Sequence, residues 1–203
     1  MVNNVVTRDV ARELARRYRT LTPDELDTME KLLMPMKYSK GDIILKEGDT
    51  CKFIYFITKG MIRQFYFKNG REVTEYLTYE NNIVMCIESL FKQQPTRLQI
   101  EALEATTLYG LPREELEQAS VKNVNIEILY RKILEESLII SQIHADLVRF
   151  EAAQERYRRL MQLQPELFLR APLVYIASYL QMTPETLSRV RAAAVDAKNE
   201  DEV

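Results

Sequence analysis

Two side chains near the carboxyl end have the chemistry to read a nucleic-acid sequence. Glu185 and Arg189 lie four positions apart, so on a helix they share one face. A carboxylate accepts from cytosine N4, and a guanidinium forks onto guanine O6 and N7. The same pair left in water is only a weak surface ion pair. The surrounding residues favour the first reading. Leu173, Ile176, Ala177 and Leu180 recur at i, i+3, i+4 and i+7, the stripe of a short half-buried helix. Gln181-Met182-Thr183 makes a turn. Thr183 is a good N-cap and Pro184 a good first helical residue, so a second helix begins there. From it Leu187, Val190 and Ala194 point inward, and Ala177 is small where two helices must approach closely. The segment predicts a helix-turn-helix whose wet face suits a major groove.

On these residues, PETLSRVRA (184–192) resembles the recognition helix of the Crp/Fnr regulators, commonly written R-E-T-V-S-R. The match supplies Glu185, Thr186, Ser188 and Arg189. The resemblance implies that Glu185 and Arg189 read bases and that Thr186 touches phosphate, which with Thr183 makes the expected DNA-binding set. Pro184 stands where many members have a basic residue, and Gln181 where the turn often carries glycine. Members usually continue into a β-hairpin wing. Here AAAVDAKNEDEV follows, so the chain reads as wingless.

The chain has 203 residues, 46% hydrophobic and 29% charged, an ordinary soluble balance. No stretch approaches the roughly 20 apolar residues of a membrane span. The amino terminus lacks a basic-then-apolar secretory pattern. Cys51 and Cys86 are far apart in sequence and lack metal spacing, which reads as buried free thiols in a reducing cytoplasm. The net charge of −2 is unlike a nucleic-acid binder, but its distribution matters more. Arg149, Arg156, Arg158, Arg159, Arg170, Arg189 and Arg191 outnumber Glu151, Glu155, Glu166 and Glu185. Asp196, Glu200, Asp201 and Glu202 then make an acidic tail, read as frayed.

All five glycines lie at or before position 110, which marks a boundary between a strand-rich part and a helical part. Residues 5–34 read as helical, with a helix start at Thr22-Pro23-Asp24. From Met36 short aromatic and β-branched runs end near glycines, and Asn69-Gly70 is a strong hairpin signal. Further strands are expected over Arg97–Ala102 and Thr106–Leu111. Many short strands with frequent turns fit a jelly-roll. The run SKGDIILKEGDTCKFIYFITKGMIRQFY resembles the β-roll of cyclic-nucleotide-binding domains.

A long helix is expected over Asn125 to Leu163. Ile133, Ile140, Ile143, Leu147 and Phe150 lie on its 3-4 alternation and fit a seam with a second copy. The alternative is that this stripe packs on its own β-roll, since Leu134, Leu138, Ile139 and Val148 give a second apolar face. The fold class is therefore α+β. Residues 1–124 form an N-terminal double-stranded β-helix, or jelly-roll, with leading helices. Residues 125–163 form the dimerisation helix, and 164–203 an all-α helix-turn-helix domain with its tail.

In cyclic-nucleotide sensors a cassette between two strands holds the phosphate, and MCIESLFKQQPTRLQIEALE is the matching stretch. Glu88 and Arg97 are its candidates for the ribose acid and the phosphate-binding base. No glycine precedes Glu88, and Thr96 comes before Arg97 rather than after it, which counts against cyclic AMP. Ser141, on the long helix, is where a different ligand would be met; its alternative role is helix packing. The lone His144 does not make a metal site, and two cysteines do not hold a four-cysteine cluster. No nucleophile–base pair, P-loop or cupin-like histidine set occurs, so an enzyme is not expected and no cofactor is implied. Arg156, Arg158 and Arg170 are candidates for phosphate contacts. The resemblance thus implies a bacterial, cytoplasmic, dimeric transcription regulator. Its partners would be double-stranded DNA, an unidentified small-molecule effector and RNA polymerase. The rival is a β-roll ligand- or protein-binding module without DNA binding.

Overall fold

The computed structural model describes the backbone of residues 2–201 and the side chains of residues 6–194. Two helices lead: α1 (Val2–Tyr18) and α2 (Pro23–Leu32). Thr22 caps α2 in a reciprocal box with Glu25, as Thr-Pro-Asp-Glu dictates. Strands β1 (Met34–Tyr38), β2 (Ile43–Leu45), β3 (Phe53–Lys59), β4 (Met61–Lys68), β5 (Arg71–Tyr79) and β6 (Ile83–Val84) follow. A short α3 (Ile87–Lys92) then precedes β7 (Gln99–Ala102) and β8 (Thr106–Pro112). The strands form two four-stranded sheets, ordered β1-β8-β3-β6 and β2-β7-β4-β5, with every pairing antiparallel. The expected jelly-roll is the observed one.

Two turns show how the sequence enforces that topology. Lys68 pairs with Arg71 across Asn69-Gly70, and both turn residues have positive φ, 53° and 74°. This is the hairpin conformation that Asn-Gly adopts most readily. Gly60, with φ 97°, joins β3 to β4; a Cβ there would lie 2.4 Å from Thr106 Oγ1. A side chain at position 60 would push the two sheets' connection apart.

The β4–β5 ladder contains a bulge. Gln64 pairs with Tyr76 but Phe65 pairs with Thr74, which leaves Glu75 as the extra residue. A bulge bends its strand and re-aims the side chains around it. Residues 61 to 65 of β4 are buried without interruption, Arg63 included.

The helical half comprises α4 (Arg113–Lys122), α5 (Val124–Phe150), α6 (Ala153–Leu163), α7 (Pro165–Arg170), α8 (Leu173–Tyr179) and α9 (Pro184–Asp201). The single helix expected over 125–163 is thus two helices, broken at Glu151-Ala152. A straight helix of that length would extend roughly 60 Å. It would carry Tyr157 and Leu160 away from the protein, whereas the turn buries both against Leu147. No proline or glycine marks the break, so tertiary burial decides it. The tail, expected to fray, continues α9 as helix to Asp201, and among the described residues no strand follows β8.

Burial divides into two cores. One lies within the β-roll and takes in α1, α2 and the first half of α5, including Ile126, Leu129 and Ile133. The other joins Met61 and Leu77 of the roll to Leu147 and to Leu160, Leu167, Ile176, Ala177 and Leu187 of the carboxyl-terminal helices. The helix-turn-helix therefore sits on the roll through a shared apolar core. Among the described residues, no helix is long and apolar enough to cross a membrane.

Candidate functional site

The helix-turn-helix forms as its residues dictate. Leu180 ends α8, and Gln181 adopts φ 49°. Met182 N–H bonds to Ala177 C=O and Gln181 N–H to Ser178 C=O, at 3.0 Å each. These are the two bonds of a Schellman cap, here closed by glutamine in the left-handed position that glycine usually takes. Thr183 Oγ1 accepts from Thr186 N–H at 3.2 Å and so caps α9. Leu187 is buried, Val190 and Ala194 pack on the same core, and Ala177 is fully buried between the helices.

Glu185, Ser188 and Arg189 are all exposed. Among the described residues Arg189 forms no ion pair; its Nη2 donates to Thr186 Oγ1 at 3.3 Å. The Glu185 carboxyl is held below its ordinary value by its own backbone N–H and by Thr183. The weak surface salt bridge that the spacing permits is not made; both groups are exposed, with Glu185 held by Thr183 and Arg189 by Thr186.

Of the arginines considered for phosphate contacts, Arg170 is committed elsewhere. Its guanidinium grips Glu80 at 2.8 and 2.9 Å and also pairs with Glu104. Glu80 in turn accepts from Gly60 N–H at 2.6 Å. Arg170 is thus a clamp between the helical unit and the roll. Arg158 pairs with its neighbour Glu155, and Arg156 is half-buried.

The Arg170 guanidinium lowers the Glu80 carboxyl from 4.5 to about 2. A carboxylate held below its unfolded value stabilises the fold above that value and loses the contribution as pH falls through the folded one. Thermal melts of the wild type should therefore fall steeply between pH 4.5 and about 2. Arg170→Ala should flatten that limb, and equal slopes would show that the clamp carries no linkage.

A cavity of about 250 Å³ lies between β5–β6 and α5. Glu88 and Ser141, two of the four expected ligand residues, line it. Thr96 and Arg97 do not. Thr96 is buried in a turn, where its Oγ1 accepts from Leu98 N–H at 2.9 Å, and Arg97 is exposed. Glu88 lies on α3, where Lys92 and, more weakly, Arg97 hold its carboxyl below the ordinary value; among the described residues it pairs with Lys92 and not with Arg97. Unforeseen lining residues come from far apart in sequence: Arg17 from α1, Gln64 from β4, Glu75 and Tyr76 from β5, and Glu136 and His144 from α5. Only the bulge lets neighbours 75 and 76 reach one cavity, because successive strand side chains otherwise point to opposite faces. No pattern in the sequence marks that bulge.

His144 links the cavity to the helix-turn-helix. Its ring stacks on Tyr179 of α8, with centroids 4.2 Å apart and planes 3° from parallel. Its Nε2 lies 3.0 Å from Tyr179 C=O. Burial pushes its pKa down from the ordinary value, against the opposing pull of Tyr179 C=O and Glu75, which favours the neutral ring. A carbonyl only accepts, so Nε2 carries the proton and Nδ1 is left as an acceptor.

A second link was invisible in the sequence. Arg63 is 1% exposed. Its guanidinium lies between the rings of Phe65 and Tyr175, at 4.2 and 3.7 Å. Nε donates to Thr74 Oγ1 at 3.0 Å and Nη1 to Glu72 at 2.8 Å, with Glu101 at 3.6 Å. Tyr175 belongs to α8, and Ser178 Oγ beside it accepts from Thr74 N–H at 2.8 Å. Cys51 and Cys86, distant in sequence, are both buried free thiols of the roll; Cys51 Sγ donates to Phe53 C=O at 3.4 Å and Cys86 Sγ accepts from Gln64 Nε2 at 3.1 Å.

The expected seam on α5 is redistributed. Ile133 and Leu147 are buried inside their own protomer, one in each core, and Ile140 lines the cavity. The apolar residues left outward are Leu138 (67% exposed), Ile139 (57%), Ile143 (40%) and Phe150 (73%). The 3-4 alternation was right as a helical stripe, but it packs mainly on its own roll.

Residues 35–123 match the family profile of the cyclic nucleotide-binding domain. Among curated protein sequences, none matches the chain significantly. Solved structures do. FixK2 from Bradyrhizobium japonicum superimposes with TM-score 0.66 at 21% identity, over 82% of this chain and 86% of its own. The catabolite activator protein of Thermus thermophilus gives 0.54 at 22% identity, over 92% and 88%. A protein from Eubacterium rectale, described as a transcriptional regulator of the Crp/Fnr family, gives 0.64 at 16% identity, over 87% and 85%. The chain therefore carries a cyclic nucleotide-binding domain, and across most of its length it has the architecture of the Crp/Fnr-family regulators.

Proposed function

We propose that the protein is a dimeric, non-enzymatic transcription regulator that reads a palindromic DNA site under the control of a ligand in the β-roll cavity. The observation that carries this reading is the capped α9 helix, whose Glu185 and Arg189 stand exposed and, among the described residues, outside any ion pair, while its opposite side is locked to the body. Residues 1–124 are the sensing unit, 125–163 the dimerising one, now bent, and 164–203 the reading unit. Two copies of α9, related by a two-fold axis, would enter major grooves about one DNA turn apart. A ligand touching His144 meets a ring that rests on Tyr179, so the sensing site and α8 share one stacked pair. A ligand shifts the two reading helices only through different affinity for their two arrangements.

Selection from random duplexes should enrich a palindrome. Arg189→Ala should weaken binding to it by about 1–3 kcal/mol and relax preference at one position per half-site. Equal loss on unrelated duplexes would contradict base reading, and no enriched palindrome would favour a ligand-binding module instead.

A further inference from the structure

The charge of the cavity is opposite to that required by a nucleotide phosphate. Three carboxylates line it, Glu75, Glu88 and Glu136, against the single guanidinium of Arg17. Arg17 is already paired with Glu136 in the wall and donates to Asn81 C=O, so each of those two charges is met within the protein. Glu88 stands at the rim in an ion pair with Lys92, and Tyr18 donates to Glu136. Glu75, the bulge residue, has no ion-pair partner among the described residues.

Two further groups in the wall are acceptors open to a donor. Gln64 is 5% exposed; its Nε2 donates to Cys86 Sγ at 3.1 Å. Its amide oxygen has no hydrogen-bond partner among the described residues and belongs to a side chain lining the cavity. His144 presents the second, Nδ1, because Nε2 is held by Tyr179 C=O. Neither atom is sealed from water, so a donor on a ligand would take the place of cavity water there. Beside these acceptors the wall is aliphatic, with Ile83, Leu98 and Ile140.

We propose that the cavity takes a small organic amine as its ammonium ion, with Glu75, Gln64 and His144 receiving the charged head and the aliphatic wall packing its hydrocarbon. An ammonium carries three donors and no acceptor, the complement of three acceptor groups. A phosphate or carboxylate would set acceptors against acceptors and negative charge against negative charge. This rests on the reading of the cavity as the sensing site, and it names the class of molecule sensed.

The test is calorimetric titration of the full-length protein with phenethylamine, phenethyl alcohol and phenylacetate, which share one frame and differ in charge. Hexylamine, hexanol and hexanoate repeat the comparison on a flexible frame. The amine should bind at least about tenfold tighter than its alcohol in one series or both, and the acid weakest. Glu75→Gln, at an exposed bulge position, should erase most of the preference for amine over alcohol. An acid that binds as tightly as its amine, or no binding of either amine, overturns the inference. Amine preference without an enriched palindrome would leave this inference standing and remove the DNA-reading one. An enriched palindrome with preference for the acids would do the reverse.

Discussion

Arg63→Ala should lower unfolding free energy by about 3 kcal/mol in denaturant melts. Removing one partner of a buried ion pair costs far more than the pair contributes, because the other charge stays behind. Glu72 is 43% exposed and can return to water, but Glu101 is 16% exposed and cannot do so fully. Burial already raises the Glu101 carboxyl, and the Arg63 guanidinium opposes that rise. Without Arg63 the rise is larger. A carboxylate raised in the folded state loses stability as pH climbs through its unfolded value. The deficit of Arg63→Ala should therefore be smaller below the ordinary carboxylate range than at neutral pH. Arg63→Ala with Glu101→Gln should recover part of it. The stacked rings lose their cation as well, about 1 kcal/mol for each such contact. Since one ring is Tyr175, the variant should also expose the segment around α8 to faster proteolysis. A deficit that is independent of pH and unrelieved by Glu101→Gln would mean that Arg63 acts only as volume.

Why Arg63 escaped the sequence reading is instructive. In MIRQFY an arginine and a glutamine interrupt an apolar run, as outward-facing polar residues of an alternating strand would. Alternation assigns them to water. The bulge at Glu75 and the docking of α8 on β5 instead cover both sides of β4, and those are long-range events with no local signature. Where local chemistry rules, the reading was accurate. The Thr22 box, the Asn69-Gly70 hairpin and the Thr183-Pro184 helix start all lie where their residues require. The same division runs through the candidate sites. The α9 face is legible because helical spacing alone places Glu185 and Arg189 together. The cavity is not, since its wall is gathered from α1, β4, β5 and α5, while Thr96 and Arg97 lie outside it.

The helical stripe on α5 was legible as a period but not in its direction, and this decides the last prediction. Ile139→Glu should convert a dimer to monomers in sedimentation experiments, and Ile133→Ala should not. Leu138, Ile139, Ile143 and Phe150 form the outward apolar stripe on the helix, which a second copy would bury about a two-fold axis. Glutamate at 139 would place two like charges in that seam, each desolvated and unpaired. Each costs several kcal/mol, enough to raise the dissociation constant by more than about a hundredfold. Ile133 is fully buried in its own roll. Its truncation should cost each protomer about 2–4 kcal/mol of folding stability through the cavity left behind, with the association constant unchanged. The two variants thus separate folding from assembly on one helix. If the second dissociates the dimer and the first does not, the seam is the inner stripe after all, and the arrangement of α5 on the roll must change when two copies meet. If both behave as expected, the monomer made by Ile139→Glu should also lose specific DNA binding. One reading helix then engages one half-site, and the binding free energy shared between two linked half-sites is no longer available.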